Sequence, residues 1–134
     1  MNEKVKKYVE KHMASDMIIE SVSMTTDYKT NNREAKKLNK LFQELSSDIE
    51  LAKEVYEILL NSDCRTTRGI SSTECLRLGI YIDKAVENLE EIAKMKDIGI
   101  MSFSAEMSLK LWRGEIEGQH LWYQGRIISD KIIY

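Results

Sequence analysis

Residues 71–82, SSTECLRLGIYI, open with two hydroxyl side chains, reach a glutamate within one turn and continue as an apolar helix. Residues 102–114, SFSAEMSLKLWRG, follow the same plan. Ser71 and Glu74 have the S-x-x-E spacing of a capping box, in which hydroxyl and carboxylate each satisfy a free backbone N–H of the first turn. The spacing predicts a helix starting at Ser71, after a polar connection over residues 62–70 (SDCRTTRGI). Cys75, Leu76, Leu78 and Ile82 leave that helix apolar on most sides, the mark of an inner helix. Gly79 is expected to permit close helix approach, and Gly69 to adopt a backbone conformation that other residues avoid.

The preceding segments are helical by the same three-and-four spacing. Val5, Val9, Met13 and Met17 stripe a helix over residues 3–24, with His12 beside the stripe. Residues 25–32 (TTDYKTNN) stop it, and Asn31 or Asn32 is expected to cap the next helix, striped by Leu38, Leu41, Phe42 and Leu45. Ser47 and Glu50 have capping-box spacing ahead of Leu51, Ala52, Val55, Ile58 and Leu59. A fifth helix begins near Asp83, with Ala85, Val86, Leu89, Ile92 and Ala93 inward, and ends at residues 97–99. The sixth ends at Gly114, a natural C-cap.

Ser72 and Ser104, Glu74 and Glu106, and Cys75 and Met107 correspond at an offset of 32 residues. The helices before them correspond at 34, Leu51 with Ala85 and Val55 with Leu89. A helix-pair repeat of this length is the signature of an α-solenoid. The expectation is one all-α domain over residues 1–134: an N-terminal helix pair (1–45), two helix-pair repeats (47–114) and a short extended tail (115–134). The tail contains RIISDKIIY and suggests a hairpin about Gln124–Gly125.

Charge narrows the partners. The formal net charge is −2, which argues against nonspecific nucleic-acid binding, because that needs a dense basic footprint. The distribution is uneven: residues 1–40 hold nine Lys/Arg against six Asp/Glu, and residues 41–60 hold five acids against Lys53 alone. Cys64 and Cys75 lack CxxC spacing, so neither zinc nor a redox dithiol is signalled. The charged N-terminus (MNEKVKKYVEKH) has no signal-peptide pattern, and no apolar run approaches bilayer length. Together these predict a cytoplasmic protein with reduced thiols, no cofactor and no membrane partner.

The strings LNKLF (38–42), AVENLEEIA (85–93) and AEMSLKLWRGE (105–115) resemble a bacterial HEAT-like domain family of unknown function. The likeness covers roughly residues 5–115 and departs from the usual pattern around residues 25–33 and in the Ile-rich tail. It implies HEAT-like antiparallel helix pairs in a short α-solenoid of about six helices. It also implies an immunity-type role, blocking a bacterial toxin by direct binding, and it brings no catalytic residues.

The residues by themselves point the same way. His12 and His120 stand at opposite ends of the chain without metal-ligand spacing, and no phosphate loop is present. Ser71, Ser72 and Ser104 each open a predicted helix, where capping accounts for them, and capping likewise accounts for Glu74 and Glu106. The expectation is therefore a non-enzymatic protein-binding module. A structural or regulatory adaptor is the alternative, and a HEAT-like nucleic-acid repair enzyme the outsider. The candidate partner-binding residues are the acids Glu54, Glu57, Glu87, Glu90 and Glu91, at matched points of the two repeats, with Trp112, Arg113, Trp122 and Tyr123. The acids suit a basic partner, and Trp, Tyr and Arg are enriched at interaction hot spots.

Overall fold

The structure is a computed structural model that describes residues 2–23, 25–95, 100–116, 127–128 and 131–132. Six helices form it: α1 (Glu3–Val22), α2 (Tyr28–Ser46), α3 (Ile49–Leu59), α4 (Arg65–Leu78), α5 (Ile82–Ala93) and α6 (Ile100–Arg113). Short connections set successive helices antiparallel, as a solenoid of helix pairs requires. Helix α1 lies along α2, and α5 lies along both α4 and α6; α4 also touches α1, α3 and α6. One core runs through these contacts, from Val5 and Val9 through Val55, Tyr56 and Leu59 to Leu89, Ile92 and Leu109.

Acidic or amide side chains start the first three helices. Asn2 accepts from the Lys4 N–H at 2.7 Å, Asp27 from Thr30 at 3.0 Å and Asp48 from Leu51 at 3.2 Å. The expected caps at Asn31, Asn32 and Ser47 are therefore displaced upstream or by one residue. Asp27 already satisfies the free donors, so the second helix begins before the asparagines.

Helix α4 departs most from expectation. It starts at Arg65, so the predicted polar connection is largely its first two turns, and Ser71 and Ser72 lie mid-helix. Ser71 Oγ donates to the Thr67 carbonyl at 2.6 Å and caps nothing. The capping-box assignment of Ser71 and Glu74 is corrected accordingly: neither group meets a first-turn N–H, because there is no helix start there. Ser104 likewise falls inside α6, which opens four residues earlier.

The two glycines exchange their expected roles. Gly79 is the left-handed C-cap of α4 (φ 75°), its N–H on the Cys75 carbonyl at 2.8 Å, and an added Cβ would meet nothing within 4 Å. Gly69 is helical, and its Cβ would stand 3.4 Å from Ile92 Cδ1 on α5. Gly69 thus provides the close approach, and Gly79 the positive φ.

Beyond α6, Gly114 takes a left-handed backbone (φ 74°). Strands β1 (Ile127–Ile128) and β2 (Lys131–Ile132) pair antiparallel, Ile127 with Ile132. The expected hairpin at Gln124–Gly125 and the expected helix stop at 97–99 lie outside the described residues.

Candidate functional site

Two places in the molecule merit weighing as sites, one sealed and one open. The sealed one centres on His12, which is only 1% exposed on α1. Its Nδ1 lies 2.7 Å from Asp16 Oδ2, one turn on, and its Nε2 lies 2.6 Å from Glu74 Oε1 on α4. Both ring nitrogens face carboxylate oxygens, so both carry protons and the ring is an imidazolium. Tyr56 of α3 donates to the same Glu74 oxygen at 3.2 Å and packs edge-on to the imidazole, and Thr67 donates to Asp16 Oδ2 at 2.9 Å.

Burial alone pushes the His12 pKa down. The charge of Glu74, the hydrogen bonds to Asp16 and Glu74 and the charge of Asp16 outweigh it, and the group is held up to about 10. Burial and the neighbouring Glu74 push the Tyr56 phenol well above its usual range, so it stays a neutral donor. The cluster therefore fixes α1, α3 and α4 to one another through charge-assisted hydrogen bonds. It offers no path to a substrate: Asp16 and Tyr56 are 0% exposed and Glu74 5%. A neighbouring bond continues it toward α2, where Ser15 donates to Glu34 at 3.0 Å. On the other side of α4, buried Asn88 of α5 donates to Ser72 Oγ and to the Leu60 carbonyl.

Sequence reasoning missed this cluster. His12 stood at the edge of an apolar stripe, and Glu74 was assigned to a cap. One signal was available: His12 and Asp16 are spaced i, i+4 on the inward face of a helix, an arrangement that pays for burial only as an ion pair.

The open site is a groove of about 720 Å³ along α5. Ile82, Val86, Met95 and Trp112 supply its apolar surface, and Asp83, Glu87, Glu90, Glu91 and Lys94 its charged rim. Trp112, near the end of α6, is 39% exposed. Of the nine candidate residues, the structure brings four together here: Glu87, Glu90, Glu91 and Trp112. Arg113 joins them through Glu90, at 3.5 Å. Glu87 also pairs with Lys84 at 3.7 Å, a long exposed contact that exchanges readily, and Glu91 with the half-buried Arg68 at 3.8 Å.

Glu54 and Glu57 are exposed on α3, away from the groove lining. They form no ion pair among the described residues. Tyr81 joins the two surfaces: left-handed at the start of α5 (φ 49°), it donates to the Lys53 carbonyl at 3.1 Å. Its phenol pKa is raised by partial burial first, then by the charges of Glu57, Cys75 and Glu50. Trp122, Tyr123 and His120 lie outside the described residues.

Among the described residues no group of His, Cys, Asp and Glu is arranged to hold a metal ion, and no helix is long and apolar enough to cross a membrane. Cys75 is a fully buried core residue whose thiol is pushed up by burial, and Cys64 is half-buried and unpaired in any disulfide. No family model, curated protein or solved structure matches the chain.

Proposed function

We propose that this chain is a protein-binding module that works without catalysis, docking a basic partner on the α5 groove and the adjoining α3 acids. The finer form of the proposal is an immunity-type role, in which that partner is a toxin domain and binding blocks it. One observation carries the reading: an exposed tryptophan stands in an open groove rimmed by four carboxylates, while the His12 cluster of titratable groups is sealed in the core. An aromatic anchor surrounded by charge is the composition of an interaction hot spot with its steering rim. The ion pairs of Glu87 and Glu90 are long and solvent-exposed, so a partner's Lys or Arg can replace them at little cost.

The test is affinity capture of the tagged full chain from its native host, run beside a Trp112→Ala/Glu90→Lys variant. The expected result is a stoichiometric basic partner whose recovery falls at least tenfold with the variant, an effect of about 1.4 kcal/mol or more. That partner should arrest growth when expressed alone and become harmless when co-expressed with the chain. A harmless partner would replace the immunity role with an adaptor role. Equal recovery with the variant would remove the groove as the docking surface.

A further inference from the structure

The net charge of −2 is the sum of two unlike surfaces. Residues 2–46, which make α1 and α2, hold nine Lys/Arg against seven Asp/Glu, whereas residues 48–95 hold six against ten. Two of the seven acids, Asp16 and Glu34, are buried. On α2 the separation is complete: every exposed side chain from residue 29 to residue 40 is basic, namely Lys29, Arg33, Lys36, Lys37 and Lys40. At 3.6 residues per turn these five fall within roughly 100° of the helix circumference and span about 16 Å of its length. They stand opposite Leu38, Leu41 and Leu45, which face the core. Within that span the lone acid, Glu34, is buried and serves as their anchor, taking Arg33 Nε at 3.1 Å and Lys37 Nζ at 3.2 Å.

Helix α1 widens the strip. Tyr8 donates to Glu44 and Ser15 to Glu34, which fixes the antiparallel register of the hairpin. Lys4, Tyr8, Lys11 and Ser15 share one stripe by their 4-3-4 spacing, so exposed Lys4 and Lys11 border α2, and Lys11 comes level with Lys40. The hairpin therefore presents a rigid basic face over residues 29–40 of α2, with exposed Tyr28 at its edge.

The row of cations selects the ligand. A phosphate backbone calls for cations at regular intervals on a stiff element, and an exposed aromatic at the edge of the row, as Tyr28 is, can stack on an unpaired base. We propose that the outer face of the α1–α2 hairpin binds the phosphate backbone of nucleic acid without reading its sequence. This surface is separate from the α5 groove and does not depend on what the groove binds.

The test is fluorescence anisotropy of the intact protein with a labelled mixed-sequence duplex DNA of about 20 base pairs and an unrelated single-stranded RNA, from roughly 50 to 200 mM salt. Both should bind, and four or five neutralised phosphates should weaken the duplex complex about two to three orders of magnitude across that range. Lys29→Glu/Lys36→Glu/Lys40→Glu, all at exposed positions and outside the ion pairs of Glu34, should keep its helical circular dichroism, lose binding at least tenfold and flatten the salt slope. Trp112→Ala/Glu90→Lys should bind the duplex no more weakly than the parent, which separates this face from the groove. No binding at the lowest salt, or binding that the triple variant leaves unchanged, would overturn the proposal. Polyglutamate bound as tightly as DNA of equal charge would also overturn it, and would assign the face to an acidic protein.

Discussion

Helices α4 and α6 carry similar strings, SSTECLRL and SAEMSLKL, and the glutamates at equivalent places meet opposite fates. Glu74 is buried against His12 and Tyr56. Glu106 is exposed and, among the described residues, pairs with Lys110, one turn on, at 3.2 Å. Ser72 is 0% exposed and accepts from Asn88, whereas Ser104 is exposed. The difference comes from position in the stack. Helix α4 touches α1, α3, α5 and α6, so polar groups on every side of it need protein partners; α6 packs on α4 and α5 and keeps one face in water. Local spacing sets the helix, and neighbours set the cost of each polar group on it.

The strongest way to break this contrast is to empty the sealed cluster. His12→Ala should cost about 3–5 kcal/mol, because it leaves two carboxylates buried without their cation. Glu106→Ala should stay within about 0.5 kcal/mol, as an exposed helical pair does. Urea unfolding of both variants checks this, and equal costs would mean that the His12 cluster contributes no more than a surface pair.

A gentler probe is pH. The His12 pKa rises from its ordinary 6.5 to about 10 on folding, so its contribution is present in full below 6.5 and is lost as pH climbs toward 10. Between about pH 7.5 and 9 the unfolding free energy should fall by about 1.4 kcal/mol per pH unit, the slope for one proton released on unfolding. Cys75 and Tyr56 add their own losses at higher pH, so the window stops there. Glu74→Gln removes the largest favourable interaction and should move the loss to lower pH. A pH-independent stability over that window would show that the imidazole is not charged in the fold.

The smallest effects come from the glycines. Gly79→Ala should destabilise by about 1 kcal/mol, since alanine resists the left-handed cap. Gly69→Ala sits in regular helix, with its methyl at contact distance from Ile92, and should be neutral or stabilising by up to about 1 kcal/mol. Thermal unfolding distinguishes the two by sign, and the same sign for both would undo the assignment of their roles.

Much of the fold was legible from apolar spacing. The stripe Leu38, Leu41, Phe42 and Leu45 announced α2, and Ala85, Leu89 and Ile92 announced α5, because each helix has one wet and one dry face. Helix α4 was half-hidden for the opposite reason. Thr66, Thr67, Ser71 and Ser72 read as a connection followed by a cap, since hydroxyls this dense usually bond their own backbone or water. Inside the stack Ser71 does bond its own helix, at the Thr67 carbonyl, but Thr66, Thr67 and Ser72 find Glu20, Asp16 and Asn88 on other helices. The acids of the groove were legible as exposed helix positions, but their convergence with Trp112 was not, because α5 and α6 meet across a connection whose path spacing does not encode.

The sequence by itself determined the all-α class, the helix-pair layout and the inward residues of α2 and α5, because a 3.6-residue apolar period has one economical solution in water. On α1 the stripe failed at Met17, which is 63% exposed. Tertiary structure alone decided where the polar residues belong. His12, Asp16 and Glu74 are separated by up to 62 positions, and only packing of α1 on α4 turns three isolated hydrophilic side chains into one buried ion cluster. The same packing decided which lysines face outward together, because a surface charge acquires meaning from the neighbours that share its face.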